Sequence, residues 1–587
     1  MAYFKRDRFS GIAPGVAPRL LSEQFGQIAE NVDLESGRLV ATKQDSDAYD
    51  LQTHTRRSIY KYEAAGVEYW LEWYSPNVSV VPGPIPGDTT DRLYFSGGYT
   101  NEAGTVGGYP RVGNSTTLLS SDPSTAAYFP VNSFRLGVPA PTDTPVITVS
   151  GTADDNQTPN DVAYVYTFVT AFGEEGPPSP ASAIVQLTDT ETTSVSTPSH
   201  ATGGNYNFGT GAKKRLYRSN TGSTNTTFQF VAEVNYSEVS ITDALDAAEL
   251  GEVLPSSDWI GPPDDDSTLY PDGPLKSLIP LAQGVMAGFT GKRFCLSEPF
   301  LPHAWPIAYR ITTEEDIVAI ASTANGVAAL TDGKPYFITG TSPVAMTAVQ
   351  IDLAQACVNI NSVVDMGDYV LYAGPDGLCA VQSASGEVVT AGIISVQQWN
   401  NDFYPTSIKA FKHEGTYVAF YTSGSTFAGW VYDPRGSENA LTTFTMTEAV
   451  RGGYSHPKTG ELFIIQGGKI RKFRDITASS KTLKFKSKKF VTPSPVSMSW
   501  VSLHANTYPA VIKVFADGTL VSDYSLSYSG NVYTQTTTVP SGISTGTLAE
   551  PVMRMPAVVG QEWEIQVEGT DINEFCLAQS MDEIRGT

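Results

Sequence analysis

Hydrophobic and polar residues alternate in short runs along most of this chain, a pattern that predicts strands joined by tight turns. Tyr164, Tyr166 and Phe168 share one face of such a run, and Phe228-Gln229-Phe230-Val231-Ala232-Glu233-Val234 and Glu562-Trp563-Glu564-Ile565-Gln566-Val567 alternate throughout. Leu21, Phe25 and Ile28 instead recur at helical spacing, which predicts one short amphipathic helix near the N-terminus. Residues 31–40 return to strand character on both sides of a Ser36-Gly37 turn. Ile59, Tyr60 and Tyr62, then Ala65-Gly66, then Tyr69, Trp70, Leu71 and Trp73 predict a hairpin. Four prolines from Pro76 to Pro86 mark an irregular connector, and Gly97 to Gly113 reads only as loop.

A hairpin opened by glycine recurs between residues 280 and 475. Gly284, Gly326, Gly367, Gly415 and Gly460 each begin one, at spacings of 42, 41, 48 and 45 residues. A hairpin every 40 to 50 residues is the signature of propeller blades, which bury their faces only by stacking on one another. Five such units fall short of a closed ring of six or seven, so residues 58 to 130 are the expected source of further blade material. Prolines at 139, 141 and 145 and the pair Pro262-Pro263 bracket an independent sandwich resembling a fibronectin type III module. Within it, Ala171 to Pro180 reads as the turn that ends the Tyr164-containing strand. Val511 to Phe515, the Ala516-Asp517-Gly518 turn and Glu562 to Val567 predict a second sandwich at the C-terminal end.

The expected fold class is therefore mostly β: a β-propeller with an inserted fibronectin-like β-sandwich and a C-terminal β-sandwich. The expected divisions are 1–50 as an N-terminal anchoring segment, 51–137 as a β-rich platform or propeller part, and 138–262 as the inserted sandwich. Blades occupy 263–478 and the second sandwich 479–587.

Composition supports this class. Of 587 residues, 41% are apolar and only 17% charged, with 52 Gly and 38 Pro supplying turns. A net charge of -23 repels phosphate and disfavours sequence-reading DNA binding, yet suits a surface that DNA slides past. Cys295, Cys357, Cys379 and Cys576 are few, scattered and set in apolar runs, so buried free thiols are expected. Neither a signal peptide nor a run of 18 apolar residues is visible, so no membrane span is expected.

The usual marks of chemistry are missing. The sequence has no phosphate-binding glycine loop with its lysine, no HExxH and no GxSxG, and its six histidines stand apart. Asp264-Asp265-Asp266 lacks the glycine and distal glutamate of a calcium loop and reads as a solvated linker. No catalytic residue, metal or cofactor is expected, and the repeated S-x-D-x-G-x-T-W boxes of sialidase propellers are absent. The strongest charge feature lies at 469–489, where nine of the 38 basic residues fall within 21 positions. Lys484, Lys486 and Lys488 share one strand face opposite Leu483 and Phe485. Two readings stand: a solvated edge strand guarded by lysine, or a docking strip for an acidic neighbouring subunit.

The opening Arg8-Phe9-Ser10-Gly11-Ile12-Ala13-Pro14, followed by Gln27-Ile28-Ala29-Glu30-Asn31-Val32 and Ser36-Gly37-Arg38-Leu39, resembles the start of tail nozzle (tail tubular) proteins of short-tailed bacteriophages. Ser297 to Pro306 and Gln355-Ala356-Cys357-Val358 are similar to phrases of such virion proteins. The resemblance implies a homo-hexameric ring in the virion tail, assembled in the host cytoplasm, contacting a tail adaptor ring and tail fibres. Viral DNA would pass through it without sequence-specific binding. Leu21, Phe25 and Ile28, with few local partners in sequence, are expected at the subunit interface. The alternative is another tail or neck protein with a host-surface receptor-binding role.

Overall fold

The alternating runs fold, in a computed structural model, as antiparallel strands. It describes residues 3–51, 55–97, 108–120, 130, 132–200, 204–221, 225–383, 385–435, 440–539 and 544–586. His54 and most of the Gly97 to Gly113 stretch lie outside the described residues. Within that stretch, Arg111–Gly113 is a strand. Helix is confined, among the described residues, to short pieces such as Ser115–Leu118, Val396–Asp402 and Met581–Arg585. None is long and apolar enough to cross a membrane.

The chain divides into two compact units. One comprises 55–332 and 336–350. It begins with the hairpin Ser58–Ala64 and Val67–Trp73, whose turn residues Ala65 and Gly66 both take positive φ, as a tight two-residue hairpin loop requires. A four-stranded sheet follows, from Ser79–Pro82 to Phe134–Arg135. After the inserted sandwich come two four-stranded meanders, Lys276–Pro280 to Ile311–Thr312 and Ile317–Thr323 to Thr347–Gln350. These sheets stack: Val81, Tyr94 and Val112 pack with Leu278, Met286 and Trp305, while Phe289 and Phe294 pack with Val327 and Ile338. That is blade packing, in which each sheet covers the face its neighbour cannot bury alone.

The inserted sandwich closes over Tyr164, Tyr166, Phe168, Val195, Leu216 and Ile241. Residues 171–180 are more than a turn. After Gly173 the chain doubles back, and the amides of Gly176, Ser179 and Ser182 donate to the carbonyls of Phe168, Tyr166 and Tyr164. Prolines fit there because the opposite edge needs no donor.

The second unit comprises 1–54, 333–335 and 351–587. It holds two more four-stranded sheets and one run of four strands within a larger sheet: the sheet Val364–Asp365 to Ser385–Val388, the run Lys409–His413 to Ala440–Thr445, and the sheet that contains Gly453–Ser455 to Lys469–Lys472. The last is completed by Ser46–Asp50 from the N-terminal segment. In all five glycine-opened repeats the hairpin seen in the sequence is the inner pair of four neighbouring strands, four times as a separate sheet and once, after Gly415, within a larger one. The fold class is mostly β, built of propeller blades with an inserted and a C-terminal sandwich.

Three expectations need correction. No helix forms at Leu21, Phe25 and Ile28; residues 18–24 are turns and bends, and Gly26–Glu30 is a strand. Pro18 and Gly26 interrupt the helical pattern, and a Cβ at Gly26 would lie 2.7 Å from both the Lys486 carbonyl oxygen and the Phe485 ring. The strand Leu483–Ser487 is not an edge, because Gly26–Glu30 pairs on one side and Val559–Gly569 on the other. Asp264-Asp265-Asp266 is not a free linker, because Asp264 and Asp265 both pair with Arg135, which also lies 4.1 Å over the Tyr109 ring.

Candidate functional site

Residues 3–50 are woven through their own unit. Tyr3–Arg6 pairs with the C-terminal strand Asp571–Ala578, Phe4 stacks on Phe490 at 4.5 Å, and Arg6 lies 4.7 Å above that same ring. The Gly11-Ile12-Ala13-Pro14 phrase then clasps a blade. Gly11 sits against the Leu441 backbone, the Ile12 amide donates to the Leu441 carbonyl at 2.7 Å, and the Gln398 side chain donates to the Pro14 carbonyl at 2.8 Å. Phe9 and Ile12 are buried, Phe9 at 5.1 Å from Phe485 and 5.8 Å from Phe575.

Gly26–Glu30 follows, with Glu30 in parallel register beside Thr443 and antiparallel register beside Lys484. This one strand joins the blade of residues 409–445 to the C-terminal sandwich in a single twelve-stranded sheet. Leu21, expected to lack local partners, is 4% exposed within its own chain, while Phe25 and Ile28 stay half-buried.

The structure brings together two features that the sequence kept 450 residues apart. Ile28 stands opposite Lys486 and Glu30 opposite Lys484, on the outer face of the sheet, with Ala29 and Phe485 buried beneath. Across the next strand Lys484 faces Glu568 and Lys486 faces Gln566. Lys486 reaches Glu564 at 3.1 Å and lies 4.7 Å over Phe515; Lys489 reaches Glu562 at 2.7 Å and Lys513 reaches Glu568 at 3.0 Å. Burial pushes the Glu568 carboxyl up, but the Lys513 and Gln566 hydrogen bonds outweigh it and hold the group below its ordinary value. The strip therefore alternates in sign, its acid supplied by the same chain. Lys488 follows the strand rather than lying in it.

Several buried groups elsewhere are committed to structure. Glu174 and Glu175 are both nearly fully buried. Glu174 accepts from Arg92 at 3.1 Å, and Glu175 accepts from Arg215, Tyr217 and Thr167, each at 2.7 Å. Burial raises the Glu174 carboxyl to about 7, against the pull of Arg92. Burial likewise lowers His303 to about 4; its ring nitrogen contacts the Glu175 carbonyl at 3.1 Å. All four cysteines are buried and free, and burial pushes Cys295 and Cys576 up to about 11. Among the described residues no cluster of three or more His, Cys, Asp or Glu is placed to hold a metal. A recess of about 300 Å³ in the sandwich is lined by Asp161, Thr188, Glu191, Arg218 and Asn220. Its Arg218 is taken up by Asp243 at 2.8 Å and the Leu245 carbonyl at 2.9 Å. Nothing in the sequence pointed to these buried pairings, because each joins residues from separate strands.

No family model matches the chain, and no curated protein matches it either. Solved structures overlap it weakly. Hsv2 of Kluyvelomyces marxianus is 8% identical with a TM-score of 0.22, covering 59% of this chain and 88% of its own. The dihydro-heme d1 dehydrogenase NirN is 10% identical with a TM-score of 0.24, covering 59% of this chain and 65% of its own. YCF48 from Cyanidioschyzon merolae is 13% identical with a TM-score of 0.19, covering 44% and 84%. Overlaps of this size say nothing about activity.

Proposed function

We propose that this chain is a structural virion protein whose homo-hexamer forms the tail nozzle ring through which phage DNA is ejected. The observation that carries the reading is the path of residues 3–50. Two of the opening phrases that resemble nozzle proteins, Arg8 to Pro14 and Gln27 to Val32, are the ones that tie a blade and the C-terminal sandwich into one hydrogen-bonded sheet. A wall built this way resists deformation, because shearing it breaks many backbone hydrogen bonds together. The charge of -23 supports the same role, since DNA moving past an acidic wall is not held. The buried, cation-matched carboxylates support a framework rather than a hydrolase, which would need an accessible acid and base beside one bond. The adaptor ring above and tail fibres at the side are its partners in this reading.

Electron microscopy of the purified chain, alone and with the cognate adaptor ring, tests it. A six-fold ring with a central hole wide enough for duplex DNA is expected. A chain that stays monomeric in both conditions overturns it.

A further inference from the structure

The C-terminal sandwich carries a protruding three-stranded tongue. Strands Thr519–Ser529 and Val532–Val539 pair as far as Ser529 and Val532, whereas the neighbouring strand Ala510–Ala516 stops opposite Leu526. The third strand, Ser544–Leu548, pairs with Val532–Val539 on one side and ends the twelve-stranded sheet. In a chain with 61 acidic and 38 basic residues, no charged residue occurs from Tyr524 to Ala549. Near the tip the Tyr528 and Tyr533 rings meet at a tilt with centroids 4.6 Å apart, and Tyr508 lies 5.5 Å from Tyr533. Tyr528 and Val532 remain 46% and 40% exposed.

An uncharged open edge is a hazard, and proteins normally guard edges with charge or proline. This sandwich does so elsewhere: the strand Phe490–Ser497, which pairs only with Val559–Gly569, carries Pro493 and Pro495. Ser544–Leu548 has no such guard. Two copies each bearing -23 repel wherever their acidic surfaces meet, so a neutral face is where they approach at least electrostatic cost.

We propose that the Ser544–Leu548 edge, beside the Tyr508, Tyr528 and Tyr533 cluster, is the contact this chain makes with a second copy of itself. In a closed ring the contact is heterologous and in a two-fold dimer isologous; the expectation of the first rests on the nozzle reading.

The test places charge on the edge at two exposed side chains, in the double variant Thr545→Glu and Thr547→Glu of the full chain. Ultracentrifugation and negative-stain imaging follow assembly, with the thermal midpoint as the fold control. Self-association should weaken by about a hundredfold, the scale of like charges forced into a contact. High salt should recover part of that loss, which it would not do for a misfolded chain. The same two charges at exposed Thr226 and Ser240 should leave assembly unchanged. A ring that persists in the Thr545/Thr547 variant overturns this contact and leaves the nozzle reading standing. A native two-fold dimer that the variant dissolves keeps the contact and overturns the ring, and a native chain that is monomeric at every concentration overturns both.

Discussion

Replacing Phe9 with alanine should loosen a sheet whose other strands lie hundreds of residues away. Phe9 is 5% exposed, with its ring edge-on to Phe485 at 5.1 Å and 5.8 Å from Phe575. Removing a buried phenylalanine ring costs about 3–5 kcal/mol, through lost transfer energy and the cavity left behind. The lower figure corresponds to an opening equilibrium shifted by about a hundredfold. The assay is native-state hydrogen exchange, read at Gly26–Glu30 and Leu483–Ser487, because a single unfolding midpoint is poorly defined for a chain of two units. Amides of Tyr164–Val169, in the other unit, serve as the internal reference. Exchange at the first two strands should accelerate by about two orders of magnitude with the reference unmoved. An acceleration below about threefold would show that the N-terminal segment does not hold this sheet, and the account of residues 3–50 as an internal staple would fall.

Glu174→Gln should flatten the pH dependence of stability of its own unit. Burial raises this carboxyl to about 7, so the folded state favours the protonated form; that stabilisation is full below the unfolded value near 4.5 and is lost as pH rises toward 7. Hydrogen-exchange protection of Tyr164–Val169 in wild type and variant, corrected for intrinsic exchange between pH 4.5 and 8, should diverge in slope across that window, and parallel curves would show that Glu174 does not titrate there. Lys486→Ala should cost about 1–3 kcal/mol, since it takes the cation from a nearly buried Glu564, whereas Lys488→Ala should stay within about 0.5 kcal/mol. Equal losses in denaturant titrations would mean that the strip acts as one charged patch rather than as individual cross-strand pairs.

The blades were legible in the sequence because each one is local. A glycine, a strand, a tight turn and a second strand fall within about twenty residues, and the pattern repeats with little change. The inner pair of every repeat is therefore visible before its outer strands are. Some outer strands, such as Val364–Asp365 and Gly453–Ser455, are too brief to show a period. One outer strand is not local at all: Ser46–Asp50 completes a sheet whose other members begin some 400 residues later.

The helix expected at Leu21, Phe25 and Ile28 shows where local reading fails. Three apolar residues at that spacing fit a helix face, but strand pairing was decided by neighbours the pattern does not contain. Gly26 lets the backbone come against Lys486 and Phe485, and once it does, Ala29 is fixed inward and Ile28 outward by the period of two. The same register puts Glu30 beside Lys484 and turns a run of like charges into a ladder of alternating ones. Read along the chain, the lysines ask for an acid from outside; read across the sheet, Glu564 reaches Lys486, Glu562 reaches Lys489 and Glu568 stands opposite Lys484. A surface in need of a partner is then better sought where no acid, lysine or proline guards an edge. The uncharged tongue at Ser544–Leu548 meets that criterion within the C-terminal sandwich, where the Phe490–Ser497 edge carries prolines.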